Sequence, residues 1–378
     1  MIIQSKNVWI DEAFRPAQIE IEAGKIKKVK GYGEEAGAED YGDLRILPGL
    51  IDIHCHGYGG MDCNYVTKEG MANWQKALVA EGVTGFMATT STAPFENLIA
   101  SQGIIADLIE NQNEGAVILG THVEGPLINH DYKGAHNPYY IAKPTIELFE
   151  KYQEAARGHI KMVCIATERD NDFALTKYCA ERGIKVVIGH TAAKYEDCLA
   201  AAEAGAVSFT HTFNAMVGIH HRNPGTAGAA LSMDNMYAEL ICDGVHVHFA
   251  VARTVVRAKG KDKLILITDS STVKGMPVGR HEKNGSWVEI GEDGAVRLPN
   301  GTLTGSTNKL IRMLKNCITI VEAPLATAIN AATINPARFL DLADRKGLIK
   351  EGYDADIIVI DDDYAVKQTY IAGAKKLV

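Results

Sequence analysis

Long hydrophobic runs are missing from this chain. No apolar stretch approaches the roughly 20 residues needed to span a bilayer, and Met1–Ile10 has no apolar core of the kind that heads a secretory leader. The expectation is a soluble, cytoplasmic protein with no membrane partner. An excess of positive charge is missing too: 39 Lys and Arg against 47 Asp and Glu leave a formal charge of −8. That balance argues against nucleic acid or an anionic membrane as the main partner, while a few local cations could still bind a small anionic substrate. Cysteine is sparse, odd in number and scattered: Cys55, Cys63, Cys164, Cys179, Cys198, Cys242 and Cys317. Reduced thiols fit this pattern better than a disulfide framework. Low-complexity tracts and internal repeats are absent. So is the Gly-rich nucleotide fingerprint that would follow the first strand of an open doubly wound sheet.

What the chain does have is alternation. Short apolar runs at Leu50–Cys55, Thr84–Thr89, Val117–Val123, Lys161–Ala166, Lys185–Gly189, Ala206–Thr210, Tyr237–Cys242 and Leu264–Thr268 read as strands. Helical patterns lie between most of them: Met71–Glu81, Phe95–Asn111, Thr145–Arg157, Asp172–Arg182, Tyr195–Ala204 and Phe249–Lys259. Eight alternations are the number of a closed parallel (β/α)8 barrel; the open sheet is the runner-up. Residues 274–301, rich in Gly and Pro, read as a β-hairpin insertion near the barrel mouth, followed by helices at Ser306–Val321 and Ala323–Thr333. Both chain ends read as β, through Ile2–Ile3, Asn7–Ile10, Gln18–Ile21 and Lys25–Val29 at one end and Ala355–Ile360 and Val366–Gly373 at the other. These ends are expected to meet in one small sheet domain.

Several strand runs deliver a residue able to bind a metal at their carboxyl end, where a barrel of this type builds its active site. His54 and His56 are two apart on a strand, so both imidazoles leave the same face. Glu124 follows Val117–Val123 and is held by the Gly125-Pro126 turn; His122, on the same face, is either a competing ligand or a hydrogen-bonding support. His190 and His211 end consecutive strands. With Glu124 they make an N,N,O set suited to zinc or another divalent first-row ion. Asp269 ends the eighth strand, where a carboxylate can touch the metal or serve as general base. Each residue also has a plain structural reading. The histidines could be hydrogen-bonded core residues, Glu124 a solvated loop carboxylate, and Asp269 the cap of the turn through Ser270 and Ser271.

The motifs around these residues resemble those of the N-acetylglucosamine-6-phosphate deacetylases of the amidohydrolase superfamily over essentially the whole length. They are Pro48–Gly57 (PGLIDIHCHG), His122–Pro126 (HVEGP), Lys133–Pro138 (KGAHNP), Gly189–Thr191 (GHT), Thr210–Met216 (THTFNAM), His221–Gly225 (HRNPG), Asp243–His248 (DGVHVH), Thr268-Asp269 and Gly301–Ser306 (GTLTGS). The resemblance implies an α/β fold: a deformed (β/α)8 TIM-like barrel over residues 48–349 and a small β-sandwich built from residues 1–47 and 350–378. It implies that Glu124, His190 and His211 hold a catalytic divalent metal, with Asp269 as acid/base. Because this chain keeps His54 and His56, which some members lack, the resemblance allows a binuclear site with Glu124 bridging when two ions are present; zinc or iron would fit, one or two ions per subunit. The substrate implied is a small phosphorylated amino sugar. Its phosphate would be held by Asn214, Ala215, His246 and Arg222, the arginine reaching in from the neighbouring subunit of a homodimer. His136 would face the sugar and its acetyl group, and His248 is a weaker candidate beside His246. The implied reaction converts N-acetylglucosamine 6-phosphate to glucosamine 6-phosphate and acetate. Alternatives are the N-acetylgalactosamine 6-phosphate epimer, or another small amide hydrolysed by a different amidohydrolase.

Overall fold

A computed structural model describes residues 1–111, 115–283 and 285–376. The eight apolar runs are strands of one parallel sheet, paired in sequence order: β1 (Leu50–Cys55), β2 (Val83–Thr90), β3 (Val117–Val123), β4 (Ile160–Ile165), β5 (Lys185–Ile188), β6 (Ala206–Phe209), β7 (Tyr237–Leu240) and β8 (Leu264–Leu266). Every residue of β1 and β2 is buried. Strands covered by helices outside and by packed side chains inside have no solvent face, and so they read as mainly apolar runs without strict alternation.

β8 stops short of β1, and the seam is closed by the backbone just beyond it. The Asp269 N–H donates to the His54 carbonyl (2.9 Å), and the His56 N–H donates to the Ser270 carbonyl (2.8 Å). The closure therefore places the end of the first strand against the end of the last. That is where His54, His56 and Asp269 stand.

The connecting helices are α1 (Lys68–Ala80), α2 (Phe95–Glu110), α3 (Ile146–Ala155), α4 (Ala174–Glu181), α5 (Tyr195–Glu203), α6 (Gly225–Ser232) and α7 (Phe249–Lys263). Thr67 and Thr145 cap α1 and α3, their hydroxyls accepting from Gly70 N–H (3.1 Å) and Leu148 N–H (3.2 Å). Helix α6 has no counterpart in the sequence reading. Its GTAGAALS stretch is made of small residues and is buried almost throughout, so it carries no polar face to betray a period. After the insertion come α8 (Leu310–Thr319) and α9 (Leu325–Ala332), within the expected spans, and α10 (Ile334–Phe339), which was not expected.

The insertion is more than the expected hairpin. It is a four-stranded antiparallel sheet of β9 (Gly279–Lys283), β10 (Ser286–Ile290), β11 (Ala295–Arg297) and β12 (Leu303–Ser306), in that order. β11 and β12 are too short for an alternation to stand out. They are held by a small core of their own, Val273, Val288, Ile290 and Val296. β12 is bonded to the barrel mouth: Ser306 N–H donates to the Asp269 carbonyl at 2.8 Å, and Ser271 N–H to the Ser306 carbonyl at 2.7 Å.

The two chain ends do meet in one sheet. Arg45–Pro48 pairs antiparallel with Ile357–Ile360, joining the strands from the N-terminal region to Val366–Ile371 and Ala374–Lys376. This eight-stranded sheet wraps a separate core that includes Ile3, Ile19, Ile26, Ile46, Ile357 and Tyr370. All seven cysteines are buried free thiols. Among the described residues no helix is long and apolar enough to cross a membrane.

Candidate active site

His54 and His56 come from the end of β1, while Glu124, His190, His211 and Asp269 lie within three residues after β3, β5, β6 and β8. His190, His211 and Asp269 have left-handed backbones, with φ of 46°, 24° and 46°. Such a conformation costs a non-glycine residue about 1–3 kcal/mol and is held only when the surroundings demand it. Here it turns each side chain off the strand direction and into the barrel mouth.

Glu124 is the hub. Its Oε1 lies 3.1 Å from His54 Nε2, 3.3 Å from His190 Nε2 and 3.0 Å from His211 Nε2. Its Oε2 lies 3.3 Å from His56 Nε2 and 3.2 Å from His136 Nε2. Asp269 Oδ1 is 3.1 Å from His56 Nε2, so its carboxylate faces the imidazoles rather than capping the turn through Ser270. Two sets of three have their ligand atoms within 4.8 Å of one another: Glu124 with His190 and His211, and His54 with His56 and Asp269.

Whether these residues fit a cation is decided by where the imidazole protons sit. His54 Nδ1 is 3.0 Å from Glu239 Oε2, His56 Nδ1 3.1 Å from the Thr89 carbonyl and His190 Nδ1 2.9 Å from the Tyr132 carbonyl. Those partners only accept, so each Nδ1 carries the proton and each Nε2 turns a lone pair toward the centre. His54 Nε2 is buried without a hydrogen-bond partner. His190 and His211 present their Nε2 atoms 3.0 Å apart. Lone pairs facing two carboxylates at these distances repel unless a cation lies among them, so the set fits one.

Without a cation, protons must do the same work. Burial disfavours charge on His54, yet Glu124 and Glu239 outweigh it and hold the imidazole well above its usual range. The same balance, with Glu124 and Asp269, puts His56 at about 9. Burial opposes ionisation of Glu124 and Asp269, but the histidines around them hold both well below the carboxylate range.

His136 differs from its neighbours. Its Nδ1 accepts from the Thr92 N–H at 3.2 Å, so the proton sits on Nε2, which points into the site. Burial and the neighbouring His190 pull its pKa down to about 4, leaving it neutral at pH 7. It therefore offers a donor where the others offer lone pairs.

These groups open onto a cavity of about 440 Å³, which Asn214, Ala215 and His246 also line. His246 Nδ1 lies 2.7 Å from Asp243 Oδ2, which leaves its Nε2 buried and unpartnered. Arg222 is not brought to this cavity. It is exposed, with its guanidinium 2.7 Å from His221 Nε2. His248 caps α7, accepting from Ala250 N–H at 3.2 Å. His122 stands outside both ligand sets, edge-on to His54 with ring centroids 4.7 Å apart and neither nitrogen hydrogen-bonded. Sequence reasoning missed Glu239 and Asp243. The available signals were a lone charge inside the apolar run Tyr237–Cys242 and an Asp three residues before His246.

Residues 45–376 match the model of the amidohydrolase family. The chain belongs to that family. It is 36% identical over 377 residues to the N-acetylglucosamine-6-phosphate deacetylase of Bacillus subtilis (strain 168), covering 96% of this chain and 93% of that one. It is 32% identical over 328 residues to the N-acetylgalactosamine-6-phosphate deacetylase of Escherichia coli O157:H7, covering 87% and 86%. Among solved structures, a mutant of the N-acetyl-D-glucosamine-6-phosphate deacetylase of Mycobacterium smegmatis, in complex with N-acetyl-D-glucosamine-6-phosphate, superposes with a TM-score of 0.94. It is 31% identical, over 100% of this chain and 99% of that one. This amidohydrolase is thus a hydrolase acting on an amide, with a (β/α)8 barrel and a terminal β domain.

Proposed function

We propose that this amidohydrolase removes the acetyl group of N-acetylglucosamine 6-phosphate, giving glucosamine 6-phosphate and acetate. The observation that carries the reading is Glu124, ringed by five imidazole nitrogens, in a chain alike over nearly its full length to deacetylases of such sugars. In this reading Glu124, His190 and His211 hold one divalent ion, zinc or iron. His54, His56 and Asp269 would hold a second ion, next to Glu124. A divalent ion held there would supply a bound water of lowered pKa and a Lewis acid for the acetyl carbonyl.

The chain's own groups do the rest. Asp269 and His56, with side chains 13% and 12% exposed, are slightly open to the cavity. Asp269 takes the proton of the attacking water and passes it to the sugar nitrogen, which cannot leave as an anion. His136 donates its Nε2–H to the carbonyl oxygen as negative charge develops there. Asn214, Ala215 and His246 receive the phosphate, and Arg222 completes the pocket of the partner subunit in a homodimer. Seven buried thiols support a reducing, cytoplasmic setting.

The similarity to a galactosamine-type deacetylase favours a second reading in which the C4 epimer is the substrate. Acetate release from both N-acetylated sugar phosphates, before and after chelation, tests the proposal. Release from the glucosamine form that chelation abolishes is the expected result, and release from neither sugar refutes both readings.

A further inference from the structure

The cavity holds a cation that this mechanism does not use. Lys283, at the end of β9, is the one lysine or arginine among the described residues lining it. Its Nζ lies 3.2 Å from Ser271 Oγ and 3.1 Å from Thr304 Oγ1. Two neutral hydroxyls therefore aim the ammonium, and among the described residues no carboxylate neutralises it. Three carboxylates line the same cavity, Asp62, Glu124 and Asp269, and the last two are engaged by histidines. An ammonium has three donors. With two directed at hydroxyls, one remains for a ligand, together with an unbalanced positive charge on a partly buried wall.

The placement is built. Lys283 pairs in register with Ser286 across β9 and β10, and that sheet has its own apolar core. Both tethers sit on segments bonded to the Asp269 loop, since Ser271 and Ser306 flank it through backbone hydrogen bonds. The insertion thus holds a positive charge on the wall of a cavity that no other lysine or arginine among the described residues lines.

We infer that Lys283 binds the phosphate dianion of the substrate from within the subunit, giving each site a cation that does not depend on a partner chain. This rests on the sugar-phosphate reading given above.

The test compares full-length wild type with Lys283→Met and Lys283→Arg, using N-acetylglucosamine 6-phosphate and unphosphorylated N-acetylglucosamine. Loss of a charge-assisted hydrogen bond should raise KM for the phosphorylated sugar roughly 10- to 100-fold in the Met variant. The KM for the unphosphorylated sugar should rise by a clearly smaller factor. The Arg variant should recover most of the loss, and metal content should match wild type. Equal factors for the two sugars, or no change for either, would overturn the inference. Should the Met variant fold poorly, Lys283→Gln carries the same comparison. Wild-type protein that releases no acetate would sink the deacetylase reading and not this one. Calorimetry with inorganic phosphate then decides: weaker binding to the Met variant supports the inference, and equal binding overturns it.

Discussion

Glu239 supports one member of each proposed ligand set from behind, His54 and His211. Its carboxylate is fully buried, and one oxygen, Oε2, accepts both from His54 Nδ1–H (3.0 Å) and from the His211 backbone N–H (3.1 Å). The other oxygen has no protein partner. Glu239→Gln keeps the size and one acceptor, but removes the charge that raises the basicity of His54 and fixes its tautomer. Loss of such an outer carboxylate lowers metal affinity by about 10- to 100-fold, equivalent to about 1.4–2.7 kcal/mol. The effect should fall unequally. His54 loses its side-chain partner, whereas His211 is touched only through its backbone, so the ion beside His54, His56 and Asp269 should be released first. Titration against a chelator buffer, with metal content read at each free-ion concentration, resolves the two steps. Glu239→Ala should do more, leaving two buried N–H groups unpaired at about 1–3 kcal/mol each and lowering the melting temperature as well. A Gln variant that holds its metal with wild-type affinity, or loses both ions in parallel, would refute this account of Glu239.

Asp269→Asn should reduce kcat about 10²- to 10⁴-fold, the usual contribution of a positioned acid/base, with most of the metal retained; acetate release and elemental analysis check both, and full activity removes Asp269 from the mechanism. Lys274 and Glu81 form a buried pair at 2.5 Å, with side chains only 2% and 5% exposed. Lys274→Ala should therefore cost about 3–5 kcal/mol by leaving Glu81 buried and unpaired, and Lys274→Met with Glu81→Leu should recover much of that in thermal melts. Burial raises the Asp52 carboxyl to about 6, against hydrogen bonds from Thr268 and the His54 backbone. The folded protein then holds this proton more tightly than the unfolded chain does. The associated stability is complete below the unfolded value near about 4 and is lost as pH rises through 6. Asp52→Asn should flatten the fall in urea midpoint between pH 5 and pH 7, and a curve parallel to wild type would refute the assignment.

What could be read from the sequence and what could not divide along a physical line. Leu50–Cys55 and Val117–Val123 were legible to the residue because a strand buried on both faces leaves an apolar run with clean edges. The proposed ligands were legible because each follows such a run, and the barrel gathers strand ends whatever their distance along the chain. Glu239 was not. It sits mid-strand, and its partner His54 is 185 residues away, so no local spacing encodes the pair. Lys283 stands beside Arg280, His281 and Glu282 and reads as one more hairpin charge until the four-stranded sheet folds over the mouth. The finest level is the least legible. His136 and His190 are the same residue type in the same site, yet one offers an N–H and the other a lone pair. The difference is set by what each Nδ1 meets, the Thr92 N–H or the Tyr132 carbonyl. Backbone groups have no residue-type signature, so the separation of a hydrogen-bond donor from a metal ligand is decided by tertiary structure alone.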